Sequence, residues 1–335
     1  MTYSAEKVLV TGADGFIGSH LTEALVRAGA KVTALALYNS FDSYGWLDDL
    51  SPDIRNAMTV VRGDIRDAAF VGRLVQGQRI VFHLAALIAI PYSYVAAQSY
   101  VDTNIIGTLN LLEAVRARGA ERMIHTSTSE VYGTALSVPI DETHPLQGQS
   151  PYSASKIGAD MMAEAFARSY GVPVVILRPF NTYGPRQSER AIVPTLIRQS
   201  LDQRCPTIML GDTNTVRDLT FVGDTVAAFM TAGVARDLAF GVAYNAGSGK
   251  AQTIAELADL ITSITACTKP VVRDESRMRP PNSEVRMLIA DSSRFEAATG
   301  WRPRIGLHRG LEITVDWWRR RLREGRVRRE MDFVV

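Results

Sequence analysis

The feature that most constrains this chain is a glycine-rich turn near its N-terminus. Lys7–Thr11 is a short apolar run, and residues 12–18, which follow at once, carry glycine at every third position. Apolar residues then recur at helical spacing, at Ile17, Leu21 and Leu25. The glycines allow a tight turn and close helix–sheet packing, while the N-terminus of the next helix offers free N–H groups to phosphate. The pattern predicts a strand–turn–helix unit of a parallel, nucleotide-binding sheet.

Further apolar runs alternate with helical patterns along the chain. Strands are predicted at Lys31–Leu37, residues 58–62, residues 80–86, a run ending at Thr126, and Val174–Pro179. Strands that alternate with helices favour a parallel sheet with helices on both faces. The predicted fold class is therefore α/β: a Rossmann-type doubly wound parallel sheet with a smaller, discontinuous C-terminal α/β lobe that binds substrate.

Two domains are predicted, and each is formed by two separate segments of the chain. Residues 1–182 and 217–247 form the dinucleotide-binding domain, and residues 183–216 and 248–335 form the smaller lobe. The stretch 319–329, which holds seven arginines, is predicted to be a solvated helix end, because cations suit a helix C-terminus. Three tryptophans are predicted to pack the smaller lobe, namely Trp301, Trp317 and Trp318.

A second motif supplies groups for acid–base chemistry. Tyr152 and Lys156 are four residues apart at the start of a predicted helix, so they share one face. The Lys156 ammonium is expected to lower the pKa of Tyr152 from its usual value of about 10. Thr128 is placed to bond the alcohol that Tyr152 deprotonates, and Glu130 brings a carboxylate to the same place. The four side chains are predicted to act on a sugar-like alcohol.

Taken in order, these motifs resemble those of the extended short-chain dehydrogenases/reductases, and within them the NAD-dependent nucleotide-sugar 4,6-dehydratases. The resemblance covers nearly the whole chain, from the glycine turn through Thr128-Ser129-Glu130 to Tyr152 and beyond. It implies a lyase that forms a 4-keto-6-deoxy sugar. Likeness through residues 90–94 and 178–187 points to the dehydratases of legionaminic-acid-type pathways, and therefore to N-acetylglucosamine linked to UDP or GDP.

The resemblance also implies which residues bind NAD. The second strand departs from the common NAD pattern, because no acidic residue follows it to hold the adenosine ribose. No arginine stands beside Asn39 to receive a 2′-phosphate either, so NAD is predicted over NADP, with Asn39 bonding the ribose hydroxyl. The predicted cofactor-binding residues are Gly12, Gly15, Phe16, Ile17, Gly18, Asn39, Asp64, Ile65, Leu84, Ala85, Ala86, Tyr152, Lys156 and Pro179.

Four residues are predicted to bind the nucleotide sugar. Asn181 and Arg186 follow the strand that ends at Pro179, at the sheet edge where doubly wound folds bind ligands. By resemblance, Asn181 contacts the sugar nucleotide. Arg217 and Arg279 are expected to bind its diphosphate, since a guanidinium fork matches phosphate oxygens. No metal site is predicted.

The implied reaction has an oxidation, an elimination and a reduction. Tyr152 takes the proton of the sugar 4-hydroxyl as hydride passes to NAD, and the new ketone acidifies the C5 proton. Glu130 removes that proton, water leaves from C6, and hydride returns to C6. Many dehydratases have an aspartate just before this glutamate to protonate the leaving hydroxyl. Here Ser129 stands there, as in GDP-mannose dehydratases, so Glu130 is expected to do both jobs, through Ser129 or a water.

Three other functions remain open from the same residues. A nucleotide-sugar 4-epimerase shares the first step but needs no C5 base, so Glu130 argues against it. A UDP-glucuronate decarboxylase can carry the same Thr-Ser-Glu segment and needs a cation for the substrate carboxylate. A non-catalytic dinucleotide-sensing protein has no need of Thr128, Tyr152 and Lys156.

Composition limits the partners and the compartment. The net charge of +2 gives no reason to propose a nucleic-acid partner. Two distant cysteines indicate thiols in a reducing compartment, and no signal-peptide core follows Met1. The uncharged run 80–101 is long enough for a bilayer, but it includes Pro91 and Gln98, so a buried strand is favoured over a membrane span. A cytoplasmic protein is predicted.

A homodimer is predicted from two helices. The helix after Asp102 and the helix after Tyr152 carry more apolar surface than one sheet face needs. In the family these helices pair across a two-fold axis as a four-helix bundle, and the resemblance implies the same assembly here.

Overall fold

The fold is that of a computed structural model in which residues 3–278, 280 and 283–327 are described. The strands are two to seven residues long, and they are β1 Lys7–Thr11, β2 Lys31–Leu37, β3 Met58–Gly63, β4 Ile80–His83, β5 Arg122–Thr126, β6 Val174–Pro179, β7 Thr182–Tyr183, β8 Ile208–Leu210, β9 Val216–Asp218, β10 Thr220–Phe221, β11 Ala243–Ala246, β12 Ala251–Thr253 and β13 Val271–Arg273.

The helices lie between these strands. They are α1 Phe16–Arg27, α2 Pro52–Asn56, α3 Ala68–Val75, α4 Ile90–Val95, α5 Ala97–Tyr100, α6 Gly107–Arg118, α7 Pro151–Tyr170, α8 Ile192–Leu201, α9 Val222–Val234, α10 Ile254–Thr265, α11 Ser293–Thr299 and α12 Leu307–Arg323. Shorter 3-10 turns occur at Gly45–Asp49, Ser129–Tyr132 and Glu275–Arg277, and Val101–Ile106 is π-helical.

Seven parallel strands form the central sheet, in the order β3-β2-β1-β4-β5-β6-β11. The strand order reverses between β1 and β4, which opens a crevice at the carboxyl ends of the strands. Two apolar clusters cover the two faces of the sheet. One includes residues of α1 and α9, and the other includes residues of α3, α6 and α7. The predicted doubly wound α/β class is confirmed.

Two boundaries near the crevice differ from the predicted ones. Strand β4 ends at His83 rather than at residue 86, because the Thr11 hydroxyl accepts hydrogen bonds from the backbone N–H groups of Leu84 and Ala85 at 3.2 and 3.1 Å. Helix begins again at α4, so the uncharged run 80–101 is divided among a buried strand and short helices. None of the described helices is both long and apolar enough to cross a membrane.

Local sequence explains the start and end of α7, the longest helix. Ser150 and Ser153 form a reciprocal capping box, and Pro151 occupies the first helical position, where its missing N–H costs nothing. Gly171 ends the helix in the left-handed conformation, with φ of 69°. The capping box fixes where the helix begins, and with it the first-turn position of Tyr152.

The smaller lobe has its own core, formed by α8, α10 and α12 with the strand β8. Trp318 is buried there, as predicted. The prediction for Trp301 is wrong, because its ring joins the core of the larger domain beside Phe295, and its Nε1 donates to the Asp224 carbonyl oxygen. The residue boundaries of the two domains otherwise stay a prediction.

The end of α12 is docked rather than fully solvated. The Arg321 guanidinium lies between the rings of Trp46 and Trp317, 4.9 and 5.0 Å from their centroids, and donates to the Asp49 carboxylate at 2.5 Å. These contacts attach α12 to the Gly45–Asp49 turn beyond β2. The predicted solvated end is therefore corrected for Arg321, while residues 328 and 329 lie outside the described residues.

Candidate active site

The glycine turn is pressed against the end of β4. Gly12 has φ of +68°, and a Cβ added there would lie 2.7 Å from the Ala85 nitrogen. A Cβ at Gly18 would lie 2.0 Å from the Gly12 carbonyl oxygen, so the first turn of α1 also needs glycine. Gly15 provides no side-chain cap for α1, and the first N–H groups of the helix have no side-chain acceptor among the described residues. These features fit the pyrophosphate of a dinucleotide.

Next to the turn lies a buried histidine. The His83 ring nitrogens are 2.8 Å from the Thr11 hydroxyl and 3.0 Å from the Thr108 hydroxyl. Burial holds the pKa of His83 well below its usual value, and the nearby His125 and Lys156 act in the same direction. His83 is therefore a neutral core residue under the crevice, and the half-buried Leu84, Ala85 and Ala86 form the surface above it.

At the adenosine end, Asp64 and Ile65 follow β3. The Asp64 carboxylate accepts hydrogen bonds from the Arg66 guanidinium and backbone N–H, and the Arg66 bonds hold its pKa below the usual range. Ile65 is buried under Gly107, where an added Cβ would lie 2.5 Å from the Ile65 side chain. The adenine contacts predicted for Asp64 and Ile65 stay predictions.

The Asn39 amide organises its own loop. Its Oδ1 accepts from the backbone N–H groups of Phe41 at 3.0 Å and Ser43 at 3.4 Å. Its Nδ2 donates to the carbonyl oxygens of Ser43 at 2.8 Å and Leu37 at 3.3 Å. A ribose hydroxyl would have to share these groups, so the ribose contact of Asn39 stays a prediction.

An arginine does lie beside the end of β2, contrary to the expectation from the sequence. Strand pairing places Arg62 of β3 opposite Ala36 of β2. Its guanidinium lies 4.1 Å from the centroid of the Tyr44 ring, and its Nη1 is 2.6 Å from the Asp42 carboxylate. Its Nε and Nη2 are buried, with no partner among the described residues. Asp42 thus supplies a negative charge beyond β2 and pairs with a cation that could otherwise attract a 2′-phosphate.

The predicted catalytic residues come together at the carboxyl ends of β5 and β6. Tyr152 and Lys156 lie on the first two turns of α7 and are almost completely buried. The Thr128 hydroxyl hydrogen-bonds Tyr152 and also accepts from the Glu130 backbone N–H at 3.2 Å. The Glu130 carboxylate is close enough for its charge to affect the tyrosine. Ser129 lies buried between Thr128 and Glu130.

The expected effect of Lys156 on the tyrosine is wrong in this geometry. Lys156 Nζ donates to the Thr126 carbonyl oxygen at 2.5 Å. Burial raises the pKa of Tyr152 above its usual value, and the hydrogen bond with Thr128, rather than the Lys156 charge, opposes this rise. Tyr152 in the chain alone is therefore a phenol at neutral pH. Burial also lowers the pKa of Lys156 to about 8, against the charge of Asp160.

Glu130 is the carboxylate that is predicted to be catalytic, and it is nearly enclosed, with 8% of its surface exposed. Within the described part of the chain, no hydrogen-bond or ion-pair partner is found for its carboxylate, and the carboxylate oxygens are not among the fully buried unpartnered atoms, so they remain accessible from the crevice. The unpaired state of this carboxylate leaves it available to a substrate proton.

Three of the predicted substrate residues lie around the same crevice. The Asn181 Oδ1 is buried without a partner in the described residues, as expected for an atom that awaits a ligand donor. Arg186 pairs with Glu23 of α1 at 2.7 Å, and Arg217 pairs with Glu284 at 3.1 Å. Phosphate binding by either arginine would share or break these pairs and stays a prediction. Arg279 lies outside the described residues.

A family model described as GDP-mannose 4,6 dehydratase matches residues 9–314. The chain belongs to this family. A dTDP-glucose 4,6-dehydratase of Actinoplanes sp. is 34% identical and aligns over 93% of this chain and 98% of its own length. A UDP-glucose 4-epimerase of Mycolicibacterium smegmatis is 32% identical, with the same two coverages.

Solved structures give the same result. A double mutant of a dTDP-glucose 4,6-dehydratase from Streptomyces venezuelae, solved with NAD, has a TM-score of 0.82 and 30% identity and covers 93% of this chain and 97% of its own. A UDP-glucose 4-epimerase from Thermotoga maritima, solved with UDP-glucose, has a TM-score of 0.84 and 32% identity, covering 94% and 99%. The predicted resemblance to NAD-dependent nucleotide-sugar 4,6-dehydratases is confirmed.

One group of buried residues beside the site was not predicted from the sequence. Asp160, one turn beyond Lys156 on α7, is completely buried and contacts His125, Ser127 and Arg178. Its spacing of four from Lys156, and of eight from Tyr152, was the available signal, because all three residues then share one helix face.

Proposed function

We propose that this chain catalyses NAD-dependent 4,6-dehydration of N-acetylglucosamine linked to UDP or GDP, and that the product is the nucleotide-linked 4-keto-6-deoxy sugar. The observation that carries the proposal is the Glu130 carboxylate. It is nearly buried, unpaired among the described residues, and next to the Thr128–Tyr152 hydrogen bond. Alcohol oxidation alone needs Tyr152 and not a second base, whereas elimination across C5 and C6 does.

The chain's own groups divide the work. As a phenolate, which the positive charge of bound NAD would favour, Tyr152 takes the proton of the 4-hydroxyl, and Thr128 orients that hydroxyl through its own hydrogen-bonding side chain. Lys156 stays fixed on the Thr126 carbonyl oxygen beside them. When bound, NAD would supply the chemistry of accepting hydride from C4 and returning it to C6. The crevice between the glycine turn and α7 is where the residues present would hold it.

Glu130 then removes the proton from C5. The neighbouring Ser129 is buried and carries a hydroxyl in place of the aspartate found in many dehydratases. The leaving C6 hydroxyl therefore takes its proton from Glu130, through Ser129 or a water. This order of events leaves the cofactor unchanged after each turnover, so no external reductant is consumed.

The choice of sugar rests on the residues that enclose the crevice. The segment 90–94 carries Tyr92 and Tyr94, and the Tyr94 hydroxyl is 2.5 Å from the Ser283 hydroxyl. Segments 90–94 and 178–187 resemble those of dehydratases that act on nucleotide-linked N-acetylglucosamine. The unpaired Asn181 Oδ1 provides an acceptor for a donor on the substrate.

A second candidate is 4-epimerisation, which is favoured by the equal coverage and nearly equal identity of the Mycolicibacterium epimerase. Mass spectrometry of reactions with a panel of UDP-, GDP- and dTDP-sugars separates the candidates. Dehydration appears as loss of water, epimerisation leaves the mass unchanged, and decarboxylation of UDP-glucuronate appears as loss of carbon dioxide. Loss of water from UDP- or GDP-N-acetylglucosamine is the expected result. Turnover without any mass change would replace the dehydratase proposal with the epimerase.

We also propose that two chains form a homodimer in the cytoplasm through α6 and α7. Large apolar side chains are exposed at Val101 and Ile106, on the π-helical turn that leads into α6, and at Met161 on α7. Such surface is available for burial against a second copy. Neither Cys205 nor Cys267 takes part in a disulfide within the described residues, which agrees with a reducing compartment.

A further inference from the structure

The strongest unassigned feature is a buried carboxylate under the catalytic residues. Asp160 is 0% exposed and lies one turn after Lys156 on α7. The proposed mechanism gives it no task. Burial of a charge is unfavourable unless the charge is paired and hydrogen-bonded, so the position of Asp160 calls for a structural or functional reason.

Asp160 joins α7 to the end of β5. Its Oδ2 accepts from the Ser127 hydroxyl at 2.7 Å, and its Oδ1 lies 3.1 Å from the His125 Nε2. These two residues flank Thr126, whose carbonyl oxygen holds the Lys156 ammonium. One carboxylate therefore ties together the helix that carries Tyr152 and Lys156 and the strand that leads into Thr128 and Glu130.

Asp160 also joins both segments to β6. The Arg178 Nε and Nη2 donate to Asp160 Oδ2 at 3.1 and 3.0 Å, and its Nη1 donates to the Tyr132 hydroxyl at 2.9 Å. The Tyr132 hydroxyl in turn donates to the Asn245 Oδ1 at 2.7 Å. The three strands β5, β6 and β11 are thereby connected behind the site, and Arg178 lies three residues before Asn181.

The charge of Asp160 acts on Lys156. Burial works against ionisation of Asp160, but hydrogen bonds from His125 and Ser127 and the charge of Arg178 hold its pKa below the usual range. The ionised carboxylate opposes the effect of burial on the pKa of Lys156, which is about 8. The titratable and charged groups around Lys156 are Tyr152 and Asp160 on α7, His83, His125 and Arg178 on the strands, Glu130 on the turn after β5, and Tyr100 on α5.

We propose that Asp160 is a positioning residue, which fixes Tyr152 and Lys156 against Thr128 and Glu130 and places a negative charge one helical turn from Lys156. It acts through Ser127 and Lys156 and not on the reacting atoms. The inference rests on the proposed function only for its kinetic part, because dehydration, epimerisation and decarboxylation all begin with the same Tyr152–Lys156 pair.

The charge is tested by Asp160→Asn, which keeps the shape of the side chain. With lysine labelled by ¹³C at Cε, the five lysines of the chain give few signals, and Lys156→Arg identifies the signal of Lys156. Removing the carboxylate should lower the pH at which Lys156 titrates by about one unit or more. Because the ammonium is lost as pH rises, the alkaline fall of kcat/KM should move to lower pH as well.

Glu164→Gln is the matched control, since Glu164 lies one turn further along α7 and is partly exposed beside Arg168. It should leave the Lys156 titration where it is in the wild type. An Asp160→Asn titration that coincides with the wild type would overturn the electrostatic role. If the Lys156 titration moved but the alkaline fall of kcat/KM stayed at the wild-type pH, the charge of Asp160 would have no importance for turnover.

The positioning role is tested by Ser127→Ala, which keeps the Asp160 charge and removes one link to β5. It should lower kcat about tenfold, roughly the cost of one hydrogen bond to a charged group, and leave the Lys156 titration unchanged. A Ser127→Ala enzyme with wild-type kcat would overturn the positioning role.

Asp160→Asn leaves Arg178 buried without its carboxylate and can prevent folding. The double variant Asp160→Asn with Arg178→Gln removes both charges together, which buried pairs tolerate better than loss of one partner. Because loss of the Arg178 cation would itself raise the pH at which Lys156 titrates, the double variant is compared with Arg178→Gln, so that only the Asp160 charge differs between the two. The titration needs no turnover. If the wild type turned over no nucleotide sugar, the proposed function would fail while the titration still decided the role of Asp160.

Discussion

The two ends of the cofactor crevice are built differently. At the catalytic end, the Asp160 carboxylate has no exposed surface and bonds to side chains of β5 and β6. At the adenosine end, charged pairs lie at the surface: Asp64 with Arg66, and Asp42, which is 90% exposed, with Arg62. One end is held by buried polar contacts between several strands and α7, and the other by ion pairs that each include at least one exposed side chain.

The difference predicts where substitutions act strongly. Removing one partner of a buried ion pair leaves the other charge uncompensated. Exposed ion pairs contribute little to stability, because water and salt screen them. We therefore expect large losses of turnover from changes at the catalytic end. Changes at the adenosine end should mainly adjust which cofactor is preferred.

The largest effect is expected from Tyr152→Phe. Loss of the phenolic hydroxyl removes the only base for the 4-hydroxyl, so kcat should fall by about 10³-fold or more while substrate binding remains nearly intact. Steady-state kinetics and a direct binding titration measure the two quantities. A variant that kept more than about a tenth of wild-type kcat, a barrier change below about 1.4 kcal/mol, would show that Tyr152 is not the base.

Glu130→Gln should separate the half-reactions. Oxidation at C4 needs Tyr152, Thr128 and the cofactor, but elimination needs a base at C5 that an amide cannot provide. The rate of 6-deoxy product formation should fall by about 10²–10³-fold, while absorbance in the reduced-nicotinamide band rises when the sugar nucleotide is added. An epimerase would turn over almost normally with this change. Near-normal dehydration by the variant would mean that the C5 base lies elsewhere.

Met161→Glu should weaken the proposed dimer by about thirtyfold, the effect of losing a central interface contact worth ~2 kcal/mol. Met161 is 44% exposed on the catalytic helix α7. Met209→Glu is the matched control, because Met209 is 39% exposed on β8 of the other lobe. Light scattering across a dilution series measures the molar mass, and therefore the fraction of dimer, at each protein concentration. Equal behaviour of the two variants would rule out the α7 face as the interface.

The smallest effect is expected from Asp42→Asn at the adenosine end. Loss of the exposed carboxylate frees the Arg62 guanidinium, so affinity for NADP should rise about two- to fivefold at low salt, while NAD affinity changes less. Calorimetry on protein stripped of nucleotide measures both constants, with Asp237→Asn as an exposed control. Adding Arg62→Met should cancel the gain. If Asp42→Asn matched the control, the Asp42–Arg62 pair would not face the ribose.

The same two ends differ in how well the sequence predicted them. At the catalytic end, Thr128, Glu130, Tyr152 and Lys156 come together as expected, because a strand end and a capped helix place them by local rules. At the adenosine end, the sequence predicted that Asn39 binds the ribose and that no arginine lies nearby. Strand pairing then brought Arg62 opposite Ala36, more than twenty residues away in the chain.

The sequence by itself determined the parallel sheet, the glycine turn and the helical face of Tyr152 and Lys156. These depend on periodicity, caps and glycine geometry, which act between residues close in the chain. Only the tertiary structure decided the direction of the Lys156 ammonium, the high pKa of Tyr152 and the pairing of Asp160 with Arg178. Desolvation and charge pairing depend on which distant residues exclude water from a site, and that information exists only once the strands are assembled.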